Sequence, residues 1–286
     1  MANDVMMGFN GTLQNFLTKD EIKKVCPLAF ATSPTNDKVS DKYVVANTAT
    51  VIDDMEKLGW KVVRAAQRKA TKKSSGRFSY HMVALQNPEI KITKQVGDGE
   101  VVEAYPQIIV TNSHDGLNCF QLRCACFRCI CSNGLVISDS NLADYKIRHI
   151  YYTFEELRKT VETIIAALPG YVERMTRMAN IELSKEQKQE FARKALGIRK
   201  NIPFEEVKVD EETIEDILTP VRKEDEGNSL WNVYNVLQEK ITKGGYFEAR
   251  EGKKARKVRK INSFIKDMYM SQKIDEVAKS YIPVAA

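Results

Sequence analysis

Five of the six cysteines lie in one short segment, and thiols that converge can bind a metal ion. The segment contains Cys119, Cys124, Cys126, Cys129 and Cys131. Structural zinc sites take their thiols from two short pairs separated by a longer loop, whereas these five share one apolar run that predicts a β-strand. Because side chains on a strand alternate between its two faces, four thiols cannot converge on one ion there. The cluster therefore predicts core packing in a reduced protein, without a bound metal or other cofactor.

A histidine and an aspartate stand side by side just before this run. His114 and Asp115 precede a glycine, and Asp-Gly is a dipeptide that tight hairpin turns prefer. Both side chains at such a turn can reach solvent, which suits an acid–base pair or a metal-binding pair on a rigid scaffold. His149 is a possible third member of the site. The alternative is that Asp115 only hydrogen-bonds to the backbone of its own turn.

Turn signals predict the strands that position these residues. Asp115-Gly116 and Asn133-Gly134 separate three apolar runs, which predicts antiparallel strands over 107–111, 119–131 and 135–137. An amphipathic helix that ends at Gly59 and a strand–loop–strand hairpin precede them. The first half of the chain is therefore expected to be mainly antiparallel sheet with at least one packed helix.

The second half of the chain is helical in pattern. Capping boxes at Thr153 and Ser184 predict a helix that breaks at Pro169, with a possible continuation over 171–181, and a helix that ends at Gly197. A last helix is predicted over 259–281. We therefore predict an α+β fold. Its two domains would be an antiparallel α+β core with a basic hairpin over 1–150, and a helical region over 151–286.

Positive charge is concentrated in two blocks, although the net charge of the chain is only +6. Clustered cations of this kind predict contacts with the phosphates of a nucleic acid, and nearby aromatic residues could add stacking on bases. Of these, Trp60 and Phe78 are expected in the core, which leaves Tyr80 as the candidate for stacking. An acidic segment over 205–226 lies between the blocks and could instead neutralise one of them. The candidate phosphate-binding residues are Lys61, Arg64, Arg68, Lys69, Lys72, Lys73 and Arg77 in the first block, and Lys253, Lys254, Arg256 and Lys257 in the second.

Several other functions lack their sequence signals. The chain has neither a phosphate-binding glycine loop nor a GxSxG nucleophile elbow, so an NTPase or a serine hydrolase is not expected. No apolar run approaches the roughly 18 residues of a membrane span, and we see no secretory signal. We therefore expect a cytoplasmic protein that does not enter a membrane.

A set of short motifs resembles the phage/plasmid-like proteins, a family of unknown function that is common on phages and mobile elements. The resemblance covers most of the chain and implies a protein encoded by such an element. The motifs are Asn112-Ser113-His114-Asp115-Gly116, Phe127-Arg128, Cys131-Ser132-Asn133-Gly134-Leu135, Arg148-His149, Ser40 to Tyr43, Gly59-Trp60, Trp231, Asn235, Gln238-Glu239 and Gly244-Gly245.

The order of an amphipathic helix, Gly59-Trp60 and a basic hairpin is also similar to that of the single-strand-annealing recombination proteins. That resemblance implies oligomeric rings that hold DNA in a basic groove without hydrolysing a nucleotide. Our first hypothesis is therefore a non-enzymatic protein that binds single-stranded DNA in replication or recombination, as a homo-oligomer. The alternatives are a metal-dependent enzyme acting on nucleic acid through His114, Asp115 and His149, and a phage protein that binds a host protein or serves as a structural component.

Overall fold

The computed structural model confirms the α+β fold and divides into two compact units, Phe9–Leu168 and Pro169–Ala286. In the described ranges, no helix has both the length and the apolar composition needed to cross a membrane. The residues that the structure describes are 13–34, 47–67, 80–96, 100–114, 120–127, 134–136, 145–147, 153–250 and 253–283.

A six-stranded antiparallel sheet forms the centre of the first unit. Strands β5 (Gln107–Asn112), β6 (Phe120–Phe127) and β7 (Gly134–Val136) pair in sequence order, which confirms the three antiparallel strands predicted from the two turn signals. A separate ribbon pairs β3 (Ile92–Val96) with β4 (Glu100–Ala104). The strands of the main sheet are, in spatial order, β1 (Lys61–Gln67), β2 (His81–Gln86), β5 (Gln107–Asn112), β6 (Phe120–Phe127) and β7 (Gly134–Val136), with β8 (Tyr145–Ile147) also paired to β6.

The two middle strands, β2 and β5, are buried along their whole length. Their register places Leu85 opposite Ile108 and Val83 opposite Val110, so β-branched and leucine side chains meet across the pair. Burial on both faces explains why these strands are almost continuously apolar instead of alternating. The polar exceptions lie mainly at the two ends of the pair, where His81 is opposite Asn112 and Gln86 is opposite Gln107.

Two short helices of the first unit contact β1, and local signals define their ends. Helix α1 (Lys19–Val25) begins at the Thr18 capping box, in which the carboxylate of Glu21 accepts from the Thr18 N–H at 2.8 Å. Helix α2 (Thr48–Lys57) is capped by an asparagine side chain and is followed by Gly59 at φ +83. The predicted end at Gly59 is confirmed, since other residues rarely adopt this backbone conformation.

A central helix organises the second unit. Helix α6 (Leu230–Lys243) has 11 of its 14 residues buried, so its polar residues must find partners inside the protein. The other helices of the unit pack around it. They are α4 (Lys185–Lys200), α5 (Glu211–Leu218) and α7 (Phe264–Lys279). The C-terminal half of a further helix, α3 (Phe154–Ala179), also belongs to this unit.

The predicted break at Pro169 and the predicted helix end at Gly197 are wrong. Helix α3 continues through Pro169 to Ala179, because the apolar stripe goes on through the buried Tyr171 and Met178 and outweighs one missing backbone hydrogen bond. Helix α4 passes Gly197 and ends at Lys200, where Asn201 adopts the left-handed conformation that was expected of the glycine.

The structure also contains an antiparallel ribbon that the sequence patterns did not predict. Strands β9 (Phe247–Arg250) and β10 (Lys253–Lys257) pair, with Lys257 opposite Phe247 and Arg256 opposite Glu248. The last helix accordingly begins at Phe264, later than predicted. The second basic block is therefore the β10 strand of a two-stranded ribbon.

Gly244 joins α6 to this ribbon at a point where no side chain fits. Its φ is +69, and a Cβ added there would lie 2.8 Å from the carbonyl carbon of Arg259. The next residue, Gly245, donates its N–H to the carbonyl of Val258 at 2.9 Å. The two glycines thus let the chain leave α6 in direct contact with the segment that follows β10.

Replacing Gly244 by alanine should lower the free energy of unfolding by at least about 2 kcal/mol, because the added methyl group overlaps backbone atoms at a positive φ. The matched control is Gly170→Ala. Gly170 lies within α3 and has nothing within 4 Å of an added Cβ, so alanine should stabilise by about 0.5–1 kcal/mol there. Urea denaturation of both variants measures the difference. Equal stability of the two variants would contradict this account of Gly244.

Candidate functional site

The first basic block begins on the outer strand β1. Lys61 is exposed and its Nζ lies 5.1 Å from the centroid of the Phe16 ring, while Arg64 is half-buried. Trp60 is 1% exposed and belongs to the core, so it cannot stack on a base. The remaining cations of this block lie outside the described residues, namely Arg68, Lys69, Lys72, Lys73 and Arg77.

The second basic block presents its cations to solvent. Lys254, Arg256 and Lys257 are all exposed on β10, and Lys253 occupies the first position of that strand. Among the described residues, no carboxylate lies within ion-pair distance of the three exposed cations. Their charge is therefore available to an external anion.

An aromatic side chain accompanies these cations. Phe247, on the neighbouring strand β9, is 49% exposed, and its ring centroid lies 5.9 Å from the Nζ of Lys257. Cations that can track phosphates and an aromatic face that can stack on a base are the two components of single-strand binding sites. We call the paired strands β9 and β10 the basic ribbon.

The acidic segment supports the basic ribbon without covering its cations. The carboxylate of Asp216, on α5, accepts from the backbone N–H of Phe247 at 2.7 Å and lies 3.3 Å from the Nζ of Lys240. At the end of α4, Lys200 forms an ion pair with Glu248 of β9. Both contacts hold β9 against the helices, one through the acidic Asp216 and the other through the basic Lys200.

His114 lies in the interior of the first unit, and the expectation that its side chain reaches solvent is wrong. It is 0% exposed, and its Nε2 lies 3.1 Å from the carbonyl oxygen of Leu28, in the 3₁₀ turn Pro27–Phe30. Its ring centroid is 4.9 Å from that of His81. The same 3₁₀ turn also contacts β2 and α2. Asp115 and His149 lie outside the described residues, so the enzyme hypothesis stays a prediction.

A hydrogen-bonded network lies beside His114 and consists of four buried residues, Thr48, His81, Asn112 and Ser113. The hydroxyl of Thr48, the first residue of α2, lies 2.7 Å from His81 Nε2 and accepts from Asn112 Nδ2 at 2.9 Å. The side-chain oxygen of Asn112 accepts from the backbone N–H of Ser113 at 2.8 Å. All four residues are 0% exposed. The network joins α2 to the two middle strands of the sheet. Residue spacing gave no signal for it, because its members are brought together only by tertiary packing.

Motif residues in the second unit are also structural. Asn235 is 1% exposed and donates to the carbonyl of Trp231 at 2.7 Å. Burial opposes ionisation of Glu239, but hydrogen bonds from Arg222 and Lys243 outweigh it and hold the pKa of its carboxyl below the ordinary value. Among the motif residues whose environment the structure describes, most therefore lie in the core.

Two of the cysteines, Cys26 and Cys124, are core residues. Both are buried, and burial raises the pKa of the Cys26 thiol to about 12, so that thiol stays protonated at neutral pH. In the described ranges, no three His, Cys, Asp or Glu side chains come close enough together to bind a metal ion. Cys119, Cys129 and Cys131 lie outside those ranges.

The chain belongs to the family described as a domain of unknown function, DUF932, whose model matches residues 36–265. It is similar to the UPF0380 proteins YafZ and YfjQ of Escherichia coli strain K12. Each is 27% identical over 229 residues, which cover 80% of this chain and 78% of the relative. No solved structure matches the chain. Membership of a family of unknown function is thereby confirmed, and the phage or mobile-element origin stays a prediction.

Replacing Thr48 by valine should lower the free energy of unfolding by about 2 kcal/mol, because His81 and Asn112 each lose a buried hydrogen-bond partner. The shape of the side chain is nearly unchanged, so the loss is polar. Thr163→Val is the matched control, since the Thr163 hydroxyl is exposed on α3 and bonds only to the carbonyl of Lys159. Urea denaturation should show a change within about 0.5 kcal/mol for that control. Equal losses in both variants would contradict the proposed importance of the network.

Proposed function

We propose that this protein binds single-stranded nucleic acid without hydrolysing a nucleotide, and that the basic ribbon is a principal contact surface. The observation that carries the proposal is the ribbon itself. Three exposed cations on β10, without a carboxylate partner among the described residues, lie beside the half-exposed ring of Phe247.

Physical chemistry favours a polyanion over a neutral ligand at this surface. Each cation that contacts a phosphate releases condensed counterions, which gives affinity without requiring a particular base sequence. An exposed aromatic ring adds stacking, which is possible with every base. Because Asp216 and the Lys200–Glu248 pair fix β9 against the helices, the cations are held on a supported strand and lose less entropy on binding.

The segment 61–77 is the second surface in this proposal. It carries seven cations, and the chain has no Asp or Glu between Lys57 and Pro88. Lys61, at its start, is exposed on β1. The segment supports the proposal by this concentration of positive charge.

The biological setting that we propose is replication or recombination of phage or mobile-element DNA, with the protein acting as a homo-oligomer. Support comes from the motifs that resemble the phage/plasmid-like proteins. Further support comes from the order of helix, Gly59-Trp60 and basic hairpin, which is similar to that of the single-strand-annealing proteins. DNA is therefore the nucleic acid to test first.

Changing Lys254, Arg256 and Lys257 together to glutamine should weaken binding to oligothymidine at least tenfold at low salt. The triple variant should also reduce the slope of log Kd against log salt by about 2, since each single-strand phosphate contact contributes about 0.7 to that slope. The matched control replaces Lys185, Lys208 and Lys223 by glutamine. These lysines are exposed in the same unit but are not part of the ribbon, so their replacement removes the same amount of charge elsewhere. Fluorescence anisotropy over about 50–200 mM salt measures both quantities.

Two results would contradict the proposal. One is a wild-type protein that does not bind oligothymidine even at low salt. The other is a control triple variant that loses as much affinity and slope as the ribbon variant, because net charge alone would then explain binding. If the wild type fails to bind DNA but retains one dominant protein from host lysate, the host-protein alternative replaces this proposal.

A further inference from the structure

An open groove of about 490 Å³ lies between α4 and α7 in the second unit. Its floor is formed by the end of α4 and the chain that follows, and its wall is formed by α7. The residues that matter for its chemistry are Lys194, Ile202, Phe204, Tyr269, Lys273 and Val277.

Large apolar side chains are exposed in this groove. Ile202 is 37% exposed, Phe204 is 39% exposed and Tyr269 is 49% exposed. Two of the three are aromatic and present ring surface to solvent. Exposed apolar groups that gather in one groove generally mark a binding surface, since isolated exposure is ordinary but convergence is not.

Backbone contacts fix the position of the chain that carries Ile202 and Phe204. After α4, the left-handed Asn201 turns the chain back, and the N–H of Ile202 donates to the carbonyl of Gly197 at 3.1 Å. A Cβ at Gly197 would lie 2.9 Å from the carbonyl oxygen of Ile202, so the chain lies directly on the helix there. The Nζ of Lys194 lies over the Phe204 ring, 5.6 Å from its centroid. This lysine therefore contacts the Phe204 ring.

The groove lining carries positive charge. It contains two lysines, Lys194 and Lys273, and no carboxylate. Each lysine has an exposed glutamate partner on its own helix, Glu190 at 2.6 Å and Glu276 at 2.7 Å. Hydrogen bonds to these glutamates raise the pKa of both lysines, so both are cationic at neutral pH. Because such surface pairs are weak, a phosphate can replace the carboxylate.

We infer that this groove binds one nucleotide unit of a single-stranded nucleic acid, with the base stacked on the exposed aromatic surface of Phe204 and Tyr269 and its phosphate at Lys194 or Lys273. The inference rests on the proposed function and adds a base-binding site to it. Two lysines without a carboxylate in the lining, next to two exposed aromatic rings, favour an anionic ligand with an aromatic ring over an apolar one.

The groove and the basic ribbon adjoin the same end of α4. Lys200 forms an ion pair with Glu248 of β9, and Arg199 donates to the carbonyl of Arg259, which follows β10. The next two residues, Asn201 and Ile202, line the groove. One strand of nucleic acid can therefore contact the ribbon through its phosphates and place a neighbouring base in the groove.

The test measures binding of oligothymidine and of a matching oligonucleotide with abasic positions to the full chain. For the wild type, the oligothymidine should bind more tightly than the abasic strand. The Phe204→Ala/Tyr269→Ala variant should bind oligothymidine about tenfold more weakly or worse, with an unchanged salt slope and a smaller preference over the abasic strand. Tyr269→Phe keeps the ring and should bind like the wild type. If the double variant does not fold, Tyr269→Ala alone, which removes only a half-exposed side chain, should show the same changes at smaller size.

Phe154→Ala is the matched control. Phe154 is 37% exposed and lies 5.3 Å from the Nζ of Lys57, so it is also an exposed ring with a lysine above it, but it does not line the groove. This variant should leave both affinities unchanged. A loss of affinity equal to that of the groove variants would overturn the inference, since any exposed aromatic would then serve.

Failure of the groove inference and failure of the proposed function give different results. If the groove variants bind like the wild type while the ribbon triple variant loses affinity, the groove inference is overturned and the proposed function stands. If the wild type binds no oligonucleotide, the proposed function itself fails. If the wild type is a dimer that Tyr269→Ala dissociates without changing DNA affinity, the groove holds a second copy of the chain and the inference is overturned.

Discussion

Burial of polar side chains is the constraint on which the structure of the first unit depends. The hydroxyl of Thr48 lies inside the protein, 2.7 Å from His81 Nε2 and within hydrogen-bonding distance of Asn112. A buried polar group that loses its partner costs about 1–3 kcal/mol, so α2, β2 and β5 must keep their relative positions for all three groups to be satisfied. His114 is held in the same region by the carbonyl of Leu28. The motif that first suggested chemistry therefore has a structural role in the described part of the chain.

The second unit obeys the same constraint around α6. Glu239 and Lys240 lie on this buried helix, and each is paired, with Arg222 and Asp216 respectively. The partner of Lys240 also accepts from the backbone of Phe247, so the polar contacts of the core continue to the base of the basic ribbon. This continuity explains how a two-stranded ribbon, which is marginal by itself, can be held in one position.

Local signals predicted much of the fold, and tertiary contacts decided the rest. The Thr18 capping box, the end of α2 at Gly59 and the strands around β6 were predictable because each depends on a few neighbouring residues. The burial of His114 and the passage of α3 through Pro169 were not, since both depend on what packs against the segment. The basic ribbon was missed because charged residues carry no alternating apolar pattern. Its charge was nevertheless evident from the sequence, so the candidate surface was predicted although its strand structure was not.

The central proposal is that an exposed basic surface makes the contacts with nucleic acid, while the motif residues that the structure describes lie mostly in the core. Ultraviolet crosslinking of the full chain to oligothymidine, followed by mass spectrometry of the crosslinked peptides, tests it most directly. The account predicts crosslinks in peptides that contain residues 247–257, with Phe247 as the principal acceptor. Crosslinks confined to peptides of the buried strands β2 and β5, with none in the basic ribbon, would contradict it.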